Sequence, residues 1–270
     1  MSRWLVLGGG GLKGLGHVGA WRALEEAGVQ IDGIVGTSIG GMVAVCLASG
    51  MEWRELQGRA RALRKSDILR VNRRIKWLGG VREQSVFKRE PLFEYIRALL
   101  PISDWAAIPL PVQVSAVALG TGQTHWFGSG ARTDVPPAEA IYASCALPLI
   151  YPPAPLGDDY FVDGGTCHAL PLERAVELGA TSIIAVDAGS GAESDAQEVV
   201  DHGLVGVHQR VYGIMTRHDR RAVVDSWTDP PLLCVRPEVD DHGTFDFAEI
   251  GFYLEEGYRA MRHALESEST

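Results

Sequence analysis

Gly33-Ile34-Val35-Gly36-Thr37-Ser38-Ile39-Gly40-Gly41 is the stretch on which the chain turns. A β-branched run, Ile34-Val35, ends in Gly36-Thr37-Ser38-Ile39-Gly40, which fits G-x-S-x-G. The apolar, small-residue stretch Met42 to Ala48 follows and reads as a buried helix. Strand, sharp turn and helix are the context in which this pentapeptide lifts a serine hydroxyl clear of the backbone. Gly36 and Gly40 flank a strained position, where a Cβ would strike the neighbouring elements. A glycine-rich turn capped by Ser38 is the plain alternative, and the rest of the chain decides between the two.

Working back to the amino terminus, Trp4 to Leu7 reads as a buried strand that runs into Gly8-Gly9-Gly10-Gly11-Leu12-Lys13-Gly14. Leu15 to Ala27 has helical spacing, Gly28 stops it, and Val29 to Val35 is the next strand. Strand, helix and strand within about 30 residues make a βαβ unit with parallel strands. The glycine loop leaves consecutive N–H groups at the positive end of a helix dipole, which is an anion cradle. One anion it fits is a pyrophosphate, since Gly9 to Gly14 and Gly14 to Gly19 both match G-x-G-x-x-G. That reading needs an acid at the carboxyl end of the second strand, whereas Asp32 precedes the strand. The other is the oxyanion of an acyl intermediate, held by amides from the glycine loop and by the Ile39 amide beside Ser38, with Lys13 as an added positive charge.

Composition bounds the remaining choices. The 270 residues and 46% hydrophobic content fit one large α/β domain over 1–270, and the net charge of −9 argues against a nucleic-acid partner. Cys46, Cys145, Cys167 and Cys234 form no C-x-x-C pair, which points to reduced thiols and no metal centre. No signal-peptide core or membrane-length apolar run is present, so the expected location is cytoplasmic, with peripheral membrane contact at most.

Residues 52–100 read as a cap or insertion. Within them Arg59 to Lys65 and Arg70 to Trp77 are strongly basic, a pattern suited to anionic lipid with Trp77-Leu78 at the interface, or else to a solvated helix face. Pro111 to Leu119 is a central strand with Gln123 to Phe127 returning beside it. Pro137 to Cys145 is a short helix, and the extended apolar segment Leu147 to Pro153 suits the lining of an acyl pocket. Tyr160-Phe161-Val162 leads into Asp163-Gly164-Gly165, and Ser182 to Asp187 is a further parallel strand whose Asp187 rivals Asp163 as a partner for Ser38. Gln197 to Val224 reads as one long helix, Pro231 to Arg236 as an edge strand and Phe245 to Leu265 as a closing helix.

Taken together these residues resemble the patatin-like phospholipase family. The resemblance rests on Gly9-Gly10-Gly11-Leu12-Lys13-Gly14, on Gly36-Thr37-Ser38-Ile39-Gly40 and on Asp163-Gly164-Gly165, in the family's order. Gly16-His17-Val18-Gly19 and Ala143 to Pro148 support it, over residues 4–188, while 190–270 diverge. It implies a three-layer α/β/α fold with a mainly parallel sheet and a Ser38–Asp163 dyad without histidine. It also implies an oxyanion hole from Gly9, Gly10, Gly11, Lys13, Gly14 and Ile39, a lipid or acyl-ester substrate, and no cofactor or metal. Two alternatives stand beside it. One is a Ser-Asp-His hydrolase, using a histidine after Asp163, although Ser38 has room for only one or two strands before it. The other is a lipid-binding module on the same fold with a retired site.

Overall fold

The first unit forms as read. β1 (Arg3–Leu7) passes through a 3-10 turn at Gly11–Leu15 into α1 (Gly16–Glu26), and β2 (Gly33–Thr37) lies parallel to β1 with Leu5 opposite Ile34. The structure is a computed structural model that describes residues 2–72, 83–189, 194–240 and 242–268. Beyond β2 come α2 (Ile39–Ala48), α3 (Trp53–Ala62), α4 (Lys65–Ile68) and α5 (Arg89–Leu99), then β3 (Val112–Ala118) and β4 (Thr124–Gly128). The chain continues through α6 (Pro137–Cys145), β5 (Ala154–Leu156), β6 (Asp159–Asp163), α7 (Leu172–Glu177) and β7 (Ser182–Val186). It closes with α8 (Ala196–Asp201), α9 (Gly203–Asp225), β8 (Leu232–Val235) and α10 (Ile250–Glu268).

Strand order is β5-β6-β3-β2-β1-β7-β8, with β4 also paired to β3. The five strands β3, β2, β1, β7 and β8 run parallel, while β4 and β6 lie antiparallel to β3. Alternation along the strands explains the layers. Leu5 and Leu7 of β1 and Ile184 and Val186 of β7 enter one core, beneath helices that include α1, α2, α6 and α10. Trp4, Val6, Ile183 and Ala185 enter a second, on the opposite face, with Leu172 and Ala175 of α7. Both faces are therefore covered, the three-layer α/β/α arrangement expected. Each fully buried Leu, Ile or Val contributes ~1.5–3 kcal/mol through lost water contact.

Several expectations change in detail. The glycines of Gly14 to Gly19 serve packing rather than a pyrophosphate: a Cβ on Gly19 would sit 1.9 Å from the Leu254 carbonyl oxygen, so α1 and α10 cross almost backbone to backbone. Asp32 spends its carboxylate on the Arg3 N–H, at 2.7 Å. The long helix breaks into α8 and α9 at Gly203, whose φ of +62° glycine tolerates. Leu147 to Pro153 turns instead of running straight, with Leu149 at φ +67°. In the basic span, Arg59 is held by Glu55 at 2.7 Å and by the Ala98 carbonyl, while residues 73–82, with Trp77-Leu78, lie outside the described residues. Among the described residues no helix is long and apolar enough to cross a membrane.

Candidate active site

β1 and β2 are parallel neighbours, so the loops at their carboxyl ends share one crevice, and the two sequence cradles meet there. Ser38 occupies the turn between β2 and α2 at φ 57°, ψ −128°, a conformation that side chains rarely adopt. Such strain costs of order 1–3 kcal/mol and persists only where the surroundings enforce it. They do so here. The Ser38 N–H donates to the buried Ser144 Oγ at 2.8 Å. A Cβ on Gly40 would lie 2.2 Å from the Leu7 carbonyl oxygen, so α2 starts directly against the end of β1. Thr37 adds a hydroxyl contact to Ser115 Oγ at 2.8 Å and a hydrogen bond to the His168 carbonyl at 2.9 Å.

The glycine loop backs onto this serine: a Cβ on Gly9 would be 3.5 Å from that of Ser38. Of the six residues read as its oxyanion group, Gly9 already donates its N–H to the Ala169 carbonyl at 3.0 Å; farther along the same loop the Leu12 N–H donates to the Thr244 carbonyl at 2.9 Å. Among the described residues, the N–H groups of Gly10, Gly11 and Ile39 have no such acceptor. Lys13 points away from the cleft; its buried ammonium donates to the Asp240 carbonyl at 3.1 Å. Gly14 packs under Ile39, where a Cβ would come within 2.2 Å of Ile39 Cγ2. His17, buried and with its pKa pushed down to about 4 by desolvation, is neutral and donates from Nε2 to the Gly8 carbonyl at 2.8 Å, pinning the root of the loop.

Asp163 ends β6, whose antiparallel pairing with β3 sets it opposite Ala116 and turns it into the crevice. Its carboxylate is buried and accepts from the Gly165 N–H at 2.7 Å. Burial pushes its pKa up to about 6, and the Ser38 hydroxyl, the Gly165 N–H and the Tyr212 hydroxyl each pull it part of the way back. Asp187, the rival, is committed elsewhere: it pairs with the buried Arg220 at 2.8 Å and accepts from the Gly189 N–H at 3.0 Å. Of the motif glycines at this turn, Gly164 lies against β3, where a Cβ would sit 2.1 Å from Ser115 Oγ, while Gly165 lines the cleft.

Ser38, Asp163 and the glycine loop open into one mostly apolar cleft. Leu63, Ile68, Leu92 and Tyr95 from 52–100 form part of its wall, as do Leu147 and Tyr151 from the turn after α6. The opposite wall was not foreseen from sequence. It comes from α9, through His208, Tyr212, Thr216 and Arg220. Tyr212 Oη lies 3.5 Å from Asp163 Oδ1, and the His208 ring stacks on it at 6.4 Å between centroids. His208 is the one histidine among the cleft-lining residues; burial lowers its pKa, and Nδ1 has no hydrogen-bond partner among the described residues. Only the helical spacing of α9 hinted at this wall. Nothing in the sequence near residue 212 ties it to residue 163.

Comparison with known proteins bears on the family and the fold. A family described as Patatin-like phospholipase matches residues 5–176. The chain is similar to Lysophospholipase NTE1 of Debaryomyces hansenii, 30% identical over 91% of this chain and 17% of that protein. It is 28% identical to an uncharacterized NTE family protein of Mycobacterium tuberculosis, over 72% of this chain and 51% of that one. The chain thus spans from under a fifth to about half the length of these curated relatives. Among solved structures, VipD from Legionella pneumophila shares the fold at a TM-score of 0.53 and 15% identity, covering 98% of this chain and 67% of its own.

Proposed function

The chain belongs to the patatin-like phospholipase family, and from that premise we propose that it is a serine acyl hydrolase cleaving carboxylic esters of lipids through a Ser38–Asp163 dyad. The observation that carries the reading is the meeting of a strained Ser38 with a buried carboxylate whose proton affinity is raised, at the mouth of an apolar cleft. The lysophospholipase name borne by relatives supports a lysophospholipid or related lipid ester as substrate.

The chemistry follows from the parts. Asp163 takes the Ser38 Oγ proton as Oγ attacks the ester carbonyl, and the negative charge moves onto the carbonyl oxygen. The amides of Gly10, Gly11 and Ile39 donate to that oxygen; one such donor is typically worth ~3 kcal/mol. The protonated Asp163 then returns its proton to the departing alkoxide, leaving an acyl group on Ser38. Water repeats the sequence with Asp163 again as base, releasing the fatty acid. A carboxylate near its ordinary pKa is a poor base at neutral pH; desolvation brings Asp163 closer to the task. Leu63, Ile68 and Leu92 receive the acyl chain, which makes the 52–100 segment the part that sets chain-length preference.

A p-nitrophenyl ester chain-length series and a lysophospholipid test the reading. Turnover should vanish in Ser38→Ala, and Asp163→Asn should keep the fold and lose most of the rate. Full activity in folded Asp163→Asn would rule out the dyad. Loss of turnover in His208→Ala with Asp163→Asn still active would favour the histidine alternative, which rests on the position of His208 in the cleft wall.

A further inference from the structure

Ser38 and Asp163 come from different strands, and pairing alone does not set the distance between their side chains. In the sheet β3 lies between β2 and β6, with Thr37 opposite Ser115 and Asp163 opposite Ala116. Two strand spacings leave the backbones of the dyad about 10 Å apart. Three consecutive residues at the end of α6 span that gap. The Ser38 N–H donates to Ser144 Oγ at 2.8 Å, and the Asp163 N–H donates to the Ala146 carbonyl at 3.1 Å. Between the two, Cys145 lines the cleft with its thiol against the Ser38 hydroxyl, and desolvation holds that thiol neutral.

The local chemistry accounts for each tether. Ala146 follows the last residue of α6, so its carbonyl is one of those that a helix end leaves without a partner in the helix and is open to a strand amide. Ser144 is fully buried in α6, as are Ile141, Tyr142 and Ala143 before it. Alanine would fill that helical position better, and a buried hydroxyl is kept only where it is bonded. Among the described residues its side chain has one hydrogen-bond partner, the Ser38 amide. That amide decides the conformation of the nucleophile. The φ of 57° at Ser38 is a rotation about its N–Cα bond, and it persists only while the Thr37–Ser38 peptide plane is held. An N–H tethered to Ser144 holds that plane, and with it the direction in which Oγ leaves the backbone.

We infer that the end of α6 is a strut that sets the reach from nucleophile to base, and that Ser144 is a positioning residue of the reaction. Its hydroxyl does not line the cleft and acts through the Ser38 amide. The consequence for turnover rests on the hydrolase reading above; the tether itself does not.

The test measures fluorophosphonate labelling and turnover of a water-soluble p-nitrophenyl ester in wild type, Ser144→Ala, Asp163→Asn and the double variant. Ser144→Ala should lower kcat and the labelling rate by about ten- to hundredfold, with KM within about twofold of wild type. Added to Asp163→Asn, it should slow labelling by less than about twofold, because with the base removed the reach to it no longer counts. Residue-resolved hydrogen exchange reads the tether directly. The Ser38 amide should exchange slowly in wild type and faster in Ser144→Ala, while the amides of β1 keep their wild-type rates. Full kcat in folded Ser144→Ala, equal slowing in both backgrounds, or a wild-type Ser38 amide that exchanges as freely as an exposed one overturns the inference. The last measurement needs no variant and decides the matter where Ser144→Ala does not fold. A wild type that takes no label, yet whose Ser38 amide is slow and is released by Ser144→Ala, removes the hydrolase reading and leaves the tether standing.

Discussion

Replacing Asp163 by Asn should stabilise the protein while removing its activity, and the size of the gain should depend on pH. The Asp163 carboxyl moves from an ordinary 3.8 to about 6 on folding because burial disfavours its charge. A raised carboxyl favours the folded state most when it is protonated in both states, below about pH 4. That contribution is lost as pH rises through about 6, where the folded chain must hold a desolvated anion. At ~1.4 kcal/mol per pH unit, the interval amounts to about 3 kcal/mol. Asparagine has the same shape, can still accept the Gly165 N–H, and carries no charge. Urea unfolding of wild type and Asp163→Asn across pH 4 to 8 reads the difference, in which all other titrating groups cancel. The variant's advantage should be near zero at the acid end and rise toward about 3 kcal/mol by neutral pH. A difference that stays flat across the range, or has the opposite sign, would refute the argument that desolvation sets this carboxyl.

Three further outcomes follow from contacts at the site. Tyr212→Phe removes a hydroxyl that favours the charged form of Asp163, so the acidic limb of kcat/KM for a soluble ester should move to higher pH. An unshifted limb would mean that Tyr212 only packs. Gly10→Ala places a Cβ 2.4 Å from the Ala188 carbonyl oxygen, which forces the loop to shift; kcat should fall about a hundredfold or more. Arg220→Met leaves the buried Asp187 carboxylate without its partner and should lower stability by roughly 3–5 kcal/mol in urea unfolding.

The sequence disclosed the parts of this site that short spacings encode. Gly36, Ser38 and Gly40 announce the elbow because each occupies a backbone position that other residues fill poorly, and the glycine loop announces its free amides in the same way. Which amides remain free was hidden: Gly9 is occupied by Ala169 and Leu12 by Thr244, partners more than 150 residues away. Lys13 misled for the same reason, since its acceptor, Asp240, belongs to the carboxyl-terminal part of the chain. Tyr212 was illegible because a tyrosine on an amphipathic helix reads as packing until tertiary structure sets it beside Asp163. Parallel pairing of β1 with β2 followed from the βαβ rule, whereas the antiparallel seat of β6 on β3 depends on a turn between them that no local pattern specifies.

The most direct test of the central claim is covalent labelling by a fluorophosphonate, followed by mass spectrometry of the peptide that carries the adduct. The account predicts a single adduct on Ser38, absent from Ser38→Ala, formed at a rate that rises as pH passes through about 6 and falls sharply in Asp163→Asn. A folded wild type that takes no label at Ser38, or labels equally fast in Asp163→Asn, would contradict it.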